Sequence, residues 1–66
     1  MTPTALRKAL AALGLSQRGA AALLLTDERT MRRWIKDGGI HQSSDDLIRL
    51  MLAGKITRED IEELRK

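Results

Sequence analysis

The sequence has no cysteine and a single histidine, His41, in 66 residues. That combination excludes both disulfides and the thiolate or multi-histidine zinc clusters that commonly hold such small domains together. A chain this short buries about 60% of the surface it exposes when unfolded, and one small core supplies roughly 3–5 kcal/mol of net stability. Its stability must come from close packing of regular elements, from a second copy of the chain, or from both. Composition says which elements do the packing. Alanine and leucine together make 19 residues, valine is absent, and Trp34 is the one aromatic. Such a mixture favours helices and disfavours sheets.

Helix caps and glycines divide residues 1–66 into five short helices of one all-α domain. Thr2 as N-cap with Pro3 in the first turn opens a helix to about Leu13, stopped by Gly14. Ser16 caps a second helix over about 17–24, with Ala20, Ala21 and Leu24 as its inner stripe and Gly19 as an exposed, tolerated position. Asp27 caps a third, closed by Gly38 and Gly39. Ser43 with Asp46 reads as a capping box for a fourth helix, closed by Gly54. Thr57 with Asp60 repeats that signature for a fifth, flanked by an Ile56–Ile61 hydrophobic staple.

The formal net charge of +3 conceals two unlike halves. Residues 1–36 carry seven basic against two acidic residues, and residues 37–66 carry five against seven, so the halves are +5 and −2. The excess gathers on the third helix. At 100° per residue, Met31, Trp34 and Ile35 share one side, while Glu28, Arg29, Arg32, Arg33 and Lys36 share the other, with Thr30 at the boundary. The second and third helices are joined by little more than Leu25 and Thr26. Two short helices, a tight connection and a cationic outer helix describe a helix-turn-helix whose second helix enters the major groove of double-stranded DNA. Arginines one turn apart, as Arg29 and Arg33 are, can reach guanine O6 and N7 or the flanking phosphates.

The stretch Leu13-Gly14-Leu15-Ser16-Gln17-Arg18-Gly19-Ala20-Ala21-Ala22-Leu23-Leu24 resembles the entry and first helix of the lambda-repressor/Cro-like (Xre-type) helix-turn-helix. Thr26-Asp27-Glu28-Arg29-Thr30-Met31-Arg32-Arg33-Trp34 resembles its recognition helix. The resemblance covers residues 6 to 37, centres on 16–37, and implies a five-helix domain. It implies DNA contacts from Gln17 and Arg18 at the start of the second helix. It implies further contacts from Asp27, Glu28, Arg29 and Arg33 on the third, and from His41, Gln42 and Ser43 in the loop that follows. The sequence departs from the family at the turn, where Leu25 replaces glycine. Glu28 has three readings: accepting from cytosine N4, repelling phosphate, or pairing with Arg32.

The fourth helix carries Leu47, Ile48, Leu50, Met51 and Leu52, more apolar surface than its small neighbours can cover. Ile48, Leu52, Ile56, Ile61 and Leu64 are therefore the expected homodimer interface, with residues 43–66 as the dimerisation segment. A two-fold dimer would present two recognition helices to a pseudo-palindromic operator. The expected activity is repression by promoter occupancy, as an autorepressor of a phage or mobile-element operon, with the anti-CRISPR-associated type one such group by analogy of fold. Catalysis, metal and cofactors find no support in the residue pattern, no small-molecule ligand is evident, and no apolar run suits a membrane span or a signal peptide. The expected location is the cytoplasm. Two alternatives remain. Residues 30–38 and 56–61 also resemble an excisionase-like winged helix, which needs two wing strands after its recognition helix. The cationic face also suits a protein-interaction module, such as an antitoxin or inhibitor acting on an acidic protein.

Overall fold

A computed structural model describes residues 1–65. Five helices follow one another: α1 (Pro3–Leu13), α2 (Gln17–Leu23), α3 (Glu28–Asp37), α4 (Gln42–Leu52) and α5 (Arg58–Leu64). No strand occurs among the described residues, so the fold is all-α. The winged-helix alternative lacks its wings, because the residues that would supply them form α4.

Four of the five helices start where the sequence places them, each with a side-chain oxygen accepting from an amide in the first turn. Thr2 Oγ1 accepts from Ala5 N–H at 3.1 Å and Ser16 Oγ from Gly19 N–H at 3.0 Å. Asp27 Oδ1 accepts from Thr30 N–H at 2.5 Å. Thr57 and Asp60 complete both halves of their capping box, at 3.1 and 2.9 Å. The exception is α4, which begins at Gln42 after His41 and has no side-chain cap. The expected Ser43–Asp46 box does not form, and Asp46 Oδ1 accepts from Gln42 Nε2 at 2.8 Å instead. The register that packs the chain best turns Ser44, Asp45, Ile48 and Met51 inward, and that burial outweighs a local cap.

The main core gathers Leu6, Ala9 and Leu10 of α1, Ala20 and Ala21 of α2, Met31 and Trp34 of α3, and Ile48 of α4. Alanines on α1 and α2 let three backbones close around one indole. A smaller cluster joins Leu23, Met51 and Ile61, and Ile61 is the one buried residue of α5. These clusters correct three expectations. Leu23, not Leu24, is the buried leucine of α2; Leu24 is half-buried at the core's edge. Ile48 (1% exposed) and Ile61 (5%) lie inside the protomer and cannot form a dimer surface. Both pack on the chain's own neighbours, Ile48 in the main core and Ile61 against Leu23 and Met51.

Two long-range polar contacts lock this packing. Arg7 Nη1 donates to the Ile35 carbonyl at 3.0 Å, so α1 caps the last turn of α3. The Met1 ammonium meets Asp45 Oδ2 at 2.7 Å, with both side chains within 6% of full burial. Arg49 pairs with the other carboxylate oxygen. The ammonium's hydrogen bond, followed by Arg49, holds the Asp45 carboxyl below its ordinary value against the opposing effect of burial. The turn between α2 and α3 carries one strained residue. Leu25 adopts φ 55°, the left-handed region, with its side chain 76% exposed.

Two outcomes follow. Replacing Leu25 by glycine removes a left-handed penalty of about 1–2 kcal/mol against a glycine entropy cost of about 0.5–1 kcal/mol. Leu25→Gly should therefore gain roughly 1 kcal/mol and raise the melting temperature by about 4–8 °C. Because Asp45 is more acidic folded than unfolded, its contribution is full above the ordinary carboxyl value and is lost as pH falls through the depressed one. Thermal melts across that acid range should show Asp45→Asn less stable than wild type at neutral pH and with a shallower acid decline.

Candidate nucleic-acid interface

The candidate site is built on α3, whose two faces are sharply divided. Met31 is fully buried and Trp34 is 2% exposed. Arg29, Arg32, Arg33 and Lys36 are all exposed on the other side, and Thr30 is half-buried between them. Asp27 holds the start of the helix. Hydrogen bonds from Thr30 keep its carboxyl below the ordinary value, and the charges of Arg29 and Arg33 add to that effect. Gly38 and Gly39, at φ 91° and 85°, turn the chain away after Asp37.

Three arginines are held by other residues. Arg7 is held by the Ile35 carbonyl and Arg49 by Asp45. Arg18 pairs with Glu28 across the starts of α2 and α3, Nε to Oε1 at 3.6 Å. That pair replaces the Glu28–Arg32 pairing considered from sequence. The side chains of Arg29, Arg32, Arg33 and Lys36 make no hydrogen bond or ion pair with another described residue. Four cations without hydrogen-bonded or ion-paired partners on about two turns form a concentrated positive surface on a rigid support.

The flanking candidates lie close to this helix. Gln17 and Arg18 are exposed at the start of α2, and the Arg18–Glu28 pair sets that start beside the start of α3. His41, Gln42 and Ser43 are exposed at the start of α4. The His41 ring stands edge-on to Trp34, centroids 5.4 Å apart at 84°, which sets this segment against α3. The Gln42 side chain is engaged by Asp46. Asp45, near the start of α4, is buried and neutralised by the Met1 ammonium and Arg49.

Of the expected dimer residues, Leu52 (46% exposed) and Leu64 (86%) are on the surface and Ile56 is half-buried. Leu50 is also exposed, and its place on the far side of α4 from Ile48 was readable from their spacing. The roles of Arg7 and the Met1 amine had no sequence signal, since both depend on contacts 28 and 44 residues away. No protein family, curated protein or solved structure matches the chain.

The buried face of α3 can be tested by stability alone. Trp34→Ala should cost about 3–5 kcal/mol, comparable with the whole net stability of such a domain, and so abolish most helical circular dichroism at 25 °C. The exposed Arg18–Glu28 pair should matter far less, so Glu28→Gln should change the unfolding free energy by under about 1 kcal/mol.

Proposed function

We propose that the protein is a sequence-specific regulator that binds double-stranded DNA through α3 in the major groove, as a helix-turn-helix of the Xre type. The observation that carries this reading is the face of Arg29, Arg32, Arg33 and Lys36, left without protein partners and backed by buried Met31 and Trp34. A helix fits that groove, and arginine recognises guanine edges bidentately. Gln17, Arg18, His41, Gln42 and Ser43 flank α3 and serve phosphates, while Asp27, Glu28 and Thr30 shape the start of the reading helix.

Two copies bind one pseudo-palindromic operator in this proposal, with half-sites about 10–10.5 bp apart. The contact between copies uses the exposed edge of α4 and α5, Leu52 and Leu64 with Ile56, rather than Ile48 and Ile61. Occupancy of a promoter by such a dimer represses it, in the manner of an autorepressor of a phage or mobile-element operon, within the cytoplasm.

Selection of bound duplexes from a random pool tests the whole reading. The expected result is a two-fold symmetric site whose affinity falls steeply with salt. A chain that enriches no duplex, or binds an acidic protein instead, overturns it. On the selected site, Arg33→Ala should cost roughly 1–3 kcal/mol and relax one position. Leu52→Glu with Leu64→Glu should convert a sedimenting dimer to monomer and weaken operator binding. A wild type that remains monomeric on its operator removes the dimer.

A further inference from the structure

Beyond α3, one other cationic surface lies against α2. A groove runs between α2 and α5, floored by Gly19, Ala22 and Leu23 and walled by Arg58, Glu62 and Arg65. Arg58 and Arg65 are seven residues apart and share one side of α5, whereas Glu59 and Glu63 lie on another. Neither guanidinium makes a hydrogen bond or ion pair with another described residue. Gly19 and Ala22 keep the outer part of the floor low, and Leu23 is buried beneath it. A Cβ on Gly19 would stand 3.2 Å from the Ser16 cap oxygen, so this glycine is half-buried and keeps the cap clear, and is not the exposed, tolerated position expected of it. Arg18, about a quarter turn of the helix away from Gly19, pairs with Glu28 of α3. The second helix, α2, is thus flanked by α3 and by the arginines of α5.

We infer that Arg58 and Arg65 form a second backbone clamp, which takes the phosphodiester strand that passes over α2 when α3 is in the groove. This inference rests on the DNA-binding reading above and extends it to α5, which the sequence assigned to dimerisation alone. The two unpaired guanidinium groups on one open groove wall fit a polyanion. Contacts of this kind position the protein and carry no sequence information. Glu62, the one acid on the groove wall, tempers the clamp.

The test titrates the full chain with its selected duplex and with a scrambled duplex of equal length, between about 50 and 200 mM salt. The double variant Arg58→Ala, Arg65→Ala should lose affinity by the same factor on both duplexes. Its slope of log affinity against log salt should shrink by about 2, near 1 for each lost phosphate contact. Arg33→Ala, in contrast, should lower the ratio between the two duplexes. Glu62→Gln should raise affinity on both, a gain that misfolding does not produce. A double variant with the wild-type slope, or a Glu62→Gln variant without gain, overturns the clamp while leaving the role of α3 intact. A wild type that binds neither duplex overturns both.

Discussion

The inward burial of Met31 and Trp34 governs what the rest of the chain can present. An indole of this size buries about 150–250 Å², which corresponds to roughly 4–6 kcal/mol of transfer free energy, as large as the net stability of such a domain. Burying it requires neighbours that approach closely, and Ala9, Ala20 and Ala21 provide that approach from α1 and α2. Ile48 of α4 closes the same cluster. Once Trp34 is committed inward, the helical period leaves Arg29, Arg32, Arg33 and Lys36 nowhere to go but outward. The cationic face is therefore a consequence of the core as much as of the residues that form it.

The second half of the chain is acidic in sum, but the structure distributes that acidity unevenly. Asp45 is neutralised in the interior by an ammonium and a guanidinium. Asp60 closes the cap of α5 and Asp46 holds Gln42. The basic residues of α5 face α2 across a groove. A net charge of −2 for residues 37–66 thus describes no actual surface, and the two halves are less opposed in character than their sums imply.

Features decided within one turn of helix were legible in the sequence. Thr2, Ser16, Asp27 and Thr57 each cap as expected because the acceptor and its amide are three residues apart. The division of α3 into two faces was legible for the same reason. Features decided by distant partners were not. The start of α4 moved because burial of Asp45 and Ile48 outweighed a cap at Ser43. Ile48 and Ile61 were expected on a dimer surface and are buried in the protomer, because periodicity cannot say whether an apolar residue meets its own chain or a second one. The sequence left the turn at Leu25 open, since a leucine in place of the glycine resists the left-handed region, and the chain adopts that region despite the side chain.

The two ends of α3 are held by different parts of the molecule, Asp27 at its first turn and Arg7 of α1 at its last carbonyls. Fraying, the usual motion of a ten-residue helix, is restrained at both ends. Any ligand that meets this helix encounters a backbone whose ordering was completed during folding, so the entropy still to be lost resides in four long side chains. At about 0.5–1.5 kcal/mol for each immobilised side chain, that residual cost, rather than any rearrangement of the fold, sets how much contact energy the outer face must recover before association becomes favourable.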